Sequence, residues 1–214
     1  MAVFSLKNCH FAAGERSILQ DISCTIHKGT VTAVVGPNGA GKTTLIRLLS
    51  RAVRPTKGTV LYKNKNLAEM PTKVVARTLA SLPQIRYTPE GLTVKTLVEY
   101  GSFPHRSEWT SLNENDKQII NWALEKTATK HLGRQPLSTL SGGEQQRAWI
   151  AMALAQKPEV LLLDEPTTFL DVAYQLEILE LIRELNEESK MTIVMVMHDL
   201  NHALRYADSI MVIK

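Results

Sequence analysis

The chain has 214 residues, is 44% hydrophobic and carries a formal net charge of +4, a composition that supports one substantial globular core. The basic residues are spread along the chain rather than gathered into a block, so no nucleic-acid footprint is read. The longest apolar runs, "VLLL" and "MTIVMVM", fall far short of the roughly 18 residues a membrane span needs.

The opening "MAVFSLKNCH" lacks a basic region followed by an apolar one, so no signal peptide is expected. Residues 3–35 read as short strands and turns: "VFSLKNC" and "DISCTI" alternate with a period near two, and "HKGT" turns into the buried strand "VTAVVG". Cys9 and Cys24 lie in this region and are read as free thiols in a reducing compartment rather than as a disulfide. A helix is predicted from Lys42 through "KTTLIRLLSR", with Leu45, Leu48 and Leu49 on one face. Pro55 and Gly58 close that region, and "GTVLYKN" reads as a strand.

The pattern then turns helical over about 88–133, with "TVKTLVEYG" and "ENDKQIINWALEKTATKHL" joined by an irregular connector, "SFPHRSEWTSLN". This segment is expected to be a helical insertion in a core made of residues 1–87 and 134–214. "PEVLLLDEP", 158–166, is a continuous apolar run closed by acids and proline, as in a central parallel strand. "YQLEILELIREL" is a periodic helix, "MTIVMVMHD" another buried strand and "LNHALRYA" a further helix. Strands alternating with helices predict an α/β fold with a mostly parallel sheet. "SIMVIK" reads as a strand within which the sequence stops, and the natural chain is expected to continue past Lys214.

Gly36–Thr43 has the pattern G-x-x-x-x-G-K-[ST] between a buried strand and a helix. Glycines let backbone N–H groups wrap an anion, and the helix behind them turns its positive end toward it. Lys42 adds a cation for the β- and γ-phosphates, and Thr43 a hydroxyl for Mg²⁺. Taken alone, the motif indicates an NTPase. "VLLLDE", 160–165, is expected to deliver Asp164 to Mg²⁺ and Glu165 to an attacking water. In "LSGGEQQ", 140–146, Ser141 and Glu144 fit a capping box. Gly142 and Gly143 between them leave helix N-terminal amides bare, which suggests a second anion site. A lone chain with one phosphate loop has no use for that site, whereas a head-to-tail pair has.

"GPNGAGKT", Gln84 in "SLPQ", "LSGGEQQ", "VLLLDEP", "TTFLD" and His198 in "MVMHDL" occur in the order found in ATP-binding-cassette (ABC) ATPases, which the whole chain resembles. The resemblance implies a P-loop NTPase of ABC type, with a mostly parallel core sheet, an N-terminal antiparallel β region and the helical insertion. It implies that ATP phosphates bind Gly36, Pro37, Asn38, Gly39, Ala40, Gly41, Lys42, Thr43 and Thr44. Thr43, Gln84 and Asp164 would hold Mg²⁺. Glu165 would be the catalytic base, with His198 and Gln84 at the γ-phosphate. Ser141, Gly142, Gly143 and Glu144 would meet the ATP of a second copy, and Asp171 would communicate across the pair. The family's adenine-stacking aromatic is replaced by Ala13. Phe11, two residues earlier, either stacks on adenine or belongs to the core. Phe169 stands where a small residue is common in the wider family.

A separate cassette with a helical insertion resembles importer subunits. Translation-associated cassettes usually come paired in one chain, and DNA-repair cassettes are split by a coiled coil that is absent here. The resemblance implies a second copy of the chain, integral-membrane permease subunits docked near 88–105 and, indirectly, an extracytoplasmic substrate-binding protein. It implies no nucleic acid, and a place on the cytoplasmic face of the membrane. "TPEGLTVKTLVEYGSFPH", "EPTTFLDVAYQLEIL" and "HDLNHALRYAD" are most similar to the iron-siderophore branch. Haem, vitamin B12 and zinc or manganese import are the alternatives.

Overall fold

The computed structural model describes residues 1–84, 88–106 and 112–214. Part of the connector, 107–111, and the expected core–insertion boundary at 87 lie outside the described residues.

Two sheets form. Strands β1 (Ala2–Ala13) and β2 (Arg16–His27) make an antiparallel hairpin. β1 also pairs with β4 (Lys57–Tyr62), and β5 (Lys65–Asn66) completes the order β2-β1-β4-β5. The second sheet has the order β6-β7-β8-β3-β9, from β6 (Leu79–Leu82), β7 (Val160–Leu163), β8 (Thr192–Val196), β3 (Val31–Val35) and β9 (Ser209–Val212). Every pairing in it is parallel. "VTAVV", "VLLL" and "TIVMV" are buried at every position, because a parallel sheet is covered on both faces.

The two faces belong to two cores, divided by the period-two alternation of the strands. Val34, Leu162 and Val194 pack with α1 (Lys42–Leu49) and the antiparallel sheet, alongside Phe4, Leu6 and Tyr62. Ala33, Leu161, Leu163 and Ile193 pack on the other side with α5 (Gly142–Ala155) and α6 (Val172–Ser189). Cys9 and Cys24 are free thiols. Burial pushes the Cys24 thiol up to about 11.

Short helix α2 (Thr72–Thr78) precedes β6, and α7 (Leu200–Tyr206) precedes β9. The insertion carries α3 (Val94–Gly101) and α4 (Glu114–Lys126), both packed on α5. Gly101 lets α3 approach closely: a Cβ there would run into the Met152 carbonyl. Lys126 ties α4 to α6 through Glu188 at 2.8 Å and Glu184 at 3.5 Å. Among the described residues no helix is long and apolar enough to cross a membrane.

The strand order has a direct consequence for the site. β6, β7, β8 and β3 are consecutive neighbours and point the same way. The residues that follow them, Gln84, Asp164 with Glu165, His198 and the 36–43 loop, therefore emerge side by side at one edge, where ligands bind in α/β sheets.

Candidate active site at the carboxyl ends of the parallel strands

The phosphate loop is shaped by two glycines. Gly36 has φ 153° and packs on β9's exit, where a Cβ would collide with the Ile213 carbonyl. Gly41 is left-handed at φ 97° and caps α1 with no side chain over the helix amides. Those amides have no intrahelical partner and are open to an anion. Pro37 accepts the Ala40 N–H at 3.3 Å, which closes the turn, and Ala40 packs against the core shared by α1 and the antiparallel sheet. Lys42 is buried, and its Nζ donates to the carbonyls of Gly36 at 2.9 Å and Pro37 at 3.0 Å.

A cleft of about 400 Å³ opens over this loop. Asn38, Gly39 and Gly41 through Thr44 form its floor, Glu165 one wall, and Arg16 and Ile18 of β2 the other. Phe11 does not line it: it pairs with Leu19 across the hairpin and packs, partly buried, against the core shared by α1 and the antiparallel sheet. The apolar wall beside the loop is Ile18. Neither Arg16 nor Ile18 was marked by sequence, because only the β1–β2 pairing carries them to a loop that starts 18 to 20 residues further on.

Thr43 Oγ1 donates to Asp164 Oδ1 at 3.1 Å. Asp164 is almost wholly buried, and that burial pushes its carboxyl above the ordinary aspartate value, with the Thr43 hydrogen bond opposing. A hydroxyl and a carboxylate held together beside a phosphate loop are the hard oxygen donors that Mg²⁺ prefers. The residues present fit that ion and a nucleotide's phosphates.

Glu165 is left-handed at φ 53°, and its side chain is only 10% exposed. Three groups hold its carboxylate. His198 Nε2 lies 2.6 Å from Oε1, while Gln84 Nε2 at 2.5 Å and Thr168 Oγ1 at 2.9 Å donate to Oε2. A carboxylate so fixed at the cleft edge can accept a proton from a water there. Thr168 lies three residues beyond Glu165 in a segment read for its aspartate, and no local pattern marks it as a partner of the glutamate.

The "LSGGEQQ" turn lies outside the phosphate cleft, but Gly142, Gln145 and Gln146 share a second cleft of about 190 Å³ with Gln84, Glu165 and Thr168. Ser141 and Glu144 form the expected capping box: Ser141 N donates to Glu144 Oε2 at 2.9 Å and Glu144 N to Ser141 Oγ at 3.4 Å. Accepting the Ser141 backbone N–H holds the Glu144 carboxyl below its ordinary value. Ser141 and Gly142 are exposed and lie outside the phosphate cleft. Gly143 is buried, and a Cβ there would press into the Tyr174 ring. Close packing of α5 on α6 is therefore one demand that glycine meets at this position. Asp171 caps α6, accepting the Tyr174 N–H at 3.1 Å, and does not reach the cleft within one chain.

A family model described as "ABC transporter" matches residues 19–168. This chain belongs to the ABC transporter family. It is the cassette ATPase of that family, and the α/β architecture above is the family's fold. The cassette is 50% identical over 201 residues to the iron(3+)-hydroxamate import ATP-binding protein FhuC of Bacillus subtilis, covering 94% of this chain and 75% of that one. It is 46% identical to the petrobactin import ATP-binding protein FpuC of Bacillus anthracis, covering 99% and 78%. Among solved structures it resembles a dimeric ATP-binding cassette in a post-hydrolysis state bound to ADP and phosphate. That match has a TM-score of 0.85 at 28% identity and covers 99% of this chain and 94% of that one.

Proposed function

We propose that this cassette powers import of a ferric siderophore, working as a head-to-tail pair docked on separate permease subunits at the cytoplasmic face of a membrane. The observation that carries the substrate class is the 50% and 46% identity to an iron(3+)-hydroxamate import and a petrobactin import ATP-binding protein. A cobalamin import relative, from Halobacterium salinarum, stands at 38%.

The loop amides and Lys42 bind the β- and γ-phosphates of ATP, with Lys42 releasing the Gly36 and Pro37 carbonyls to do so. Thr43, Asp164 and Gln84 would hold Mg²⁺, which would supply neutralisation of charge on the phosphate oxygens. Glu165 takes a proton from the water whose oxygen attacks the γ-phosphorus, and the bond to the β–γ bridging oxygen breaks. His198 and Gln84 keep the Glu165 carboxylate aimed at that water. Ser141 and Gly142 of each copy close over the other copy's γ-phosphate, and Asp171 lies at the same junction.

The insertion supplies a docking surface for the permease. Tyr100 and Phe103 stack at 5.4 Å on its outer side, Tyr100 half in solvent. Gln84 donates to the Glu165 carboxylate and precedes the insertion in sequence, which would let a change at the γ-phosphate reach the permease surface. An extracytoplasmic binding protein would deliver the chelate.

Uptake of radiolabelled ferric siderophores by intact cells tests the reading, comparing wild type with Glu165→Gln across hydroxamate, catecholate and carboxylate classes. Loss for one class is the expected result. Unchanged uptake of all three, with loss of haem, cobalamin or zinc uptake instead, would overturn the substrate assignment and leave the ATPase assignment standing.

A further inference from the structure

The phosphate cleft has two unlike walls. One carries Glu165, and the other carries Arg16 and Ile18 of β2. The amides that open α1 lie on the floor between them. A nucleoside triphosphate whose γ-phosphate meets Glu165 must therefore send its sugar and base toward β2.

The β2 wall presents no ring. Phe11 packs away from the cleft, and Ala13 and Gly14 at the hairpin turn are exposed with at most a methyl group to offer. The space there is open: a Cβ added at Gly14 would meet no heavy atom within 4 Å. Ile18 is fixed, lying so close to the phosphate loop that a Cβ at Gly41 would come within 3.2 Å of its Cγ2. Arg16 is exposed at the rim, and among the described residues no hydrogen bond or ion pair holds its guanidinium. The wall is thus a rigid apolar ledge beside a free planar cation.

Such a pair suits a purine. A guanidinium plane stacks on a nucleobase face, and isoleucine adds apolar contact. Neither contact tells one purine from another. The guanidinium only donates hydrogen bonds, so it can serve N7 of either purine and O6 of guanine, and no side-chain acceptor on this wall reads the amino group of adenine. Strong rejection of a near-isostere needs a buried polar group that the wrong ligand leaves unpaired, and none lines this wall.

We infer that Arg16 is the base-contacting residue of this cassette, holding a purine against Ile18 by its guanidinium plane, and that the site takes purine nucleoside triphosphates as a class without selecting adenine over guanine. The inference rests on the seating of the triphosphate on the 36–44 loop proposed above.

The test is titration calorimetry of wild type, Arg16→Ala and Arg16→Lys with the Mg²⁺ complexes of tripolyphosphate and of the β,γ-imido analogues of ATP and GTP. The two analogues should bind wild type within about threefold of each other, and a larger preference for the ATP analogue would overturn the purine tolerance. Arg16→Ala should weaken both analogues about fivefold or more and leave tripolyphosphate within about twofold. Arg16→Lys keeps the charge but not the plane, so it should restore little of that loss. Equal losses for tripolyphosphate and the analogues, restored by Lys, would put Arg16 on the phosphates as a point charge and overturn the base contact. If wild type binds none of the three, the phosphate-loop reading itself fails, and the base contact fails with it.

Discussion

His198 Nε2 stands 2.6 Å from Glu165 Oε1 although 33 residues separate the two in sequence. The contact follows from topology: β7 and β8 are parallel neighbours, and both residues lie just past their carboxyl ends. With Gln84 from the end of β6, three adjacent strands converge on one carboxylate.

Replacing His198 with Ala leaves Glu165 two donors on Oε2 and none on Oε1. Turnover should fall about a hundredfold, since a misaimed base loses much of a general-base contribution. ATP affinity should stay close to wild type. Phosphate release under saturating ATP, set beside nucleotide titration, separates the two quantities. A large loss of affinity with turnover intact would contradict this role.

Lys42→Ala acts at the earlier step. It removes both the cation for the phosphates and the donor that now satisfies the Gly36 and Pro37 carbonyls. Mg·ATP binding by titration calorimetry should weaken at least about tenfold. Wild-type binding would mean that the loop does not hold the phosphates.

Asp164 gives a pH prediction. Burial raises its carboxyl above the unfolded value, so the native state holds this proton more tightly than the unfolded chain does. The resulting stability is full below the unfolded aspartate value and is lost as pH rises through the raised native one. Asp164→Asn, tested without nucleotide, should be more stable than wild type at neutral pH, with the gap closing in acid. Urea midpoints across the acid-to-neutral range measure this, and parallel curves would refute it. The same variant should lose Mg²⁺-dependent hydrolysis.

Gly36→Ala tests the seam between loop and sheet. A methyl group would collide with the Ile213 carbonyl and press β9 away from β3. The expected cost is about 2–4 kcal/mol of unfolding free energy, read as a lowered denaturation midpoint even without ligand. A midpoint equal to wild type would show that the loop relaxes freely.

Most of the framework could be read from the chain, because parallel strands are continuous apolar runs and the loops after them carry their own chemistry. "VTAVV", "VLLL" and the helix starting at Lys42 are examples where local pattern and tertiary demand agree. So is Ser141, whose capping box needs only Glu144 three residues on. Short α2 and β6 were not anticipated: "TKVVART" and "LASL" offer too few residues for a period to emerge. Arg16, Ile18 and Thr168 were missed for another reason. Their roles depend on what other segments bring to them, and nothing in their own neighbourhoods records that. Phe11 shows the same limit, since only its pairing with Leu19 records that it packs, partly buried, against the core.

The phosphate cleft also joins two bodies of structure. Its floor leaves the parallel sheet, while Arg16 and Ile18 reach over from the antiparallel one. A nucleotide seated there would act as a rivet between sheets that share no strand, whereas inorganic phosphate would reach the loop alone. Amide hydrogen exchange distinguishes the two cases. ATP should slow exchange both in the loop and along Arg16–Leu19, and phosphate in the loop only. The tip of the hairpin then becomes a reporter of base and sugar occupancy, separate from the charge that the loop detects.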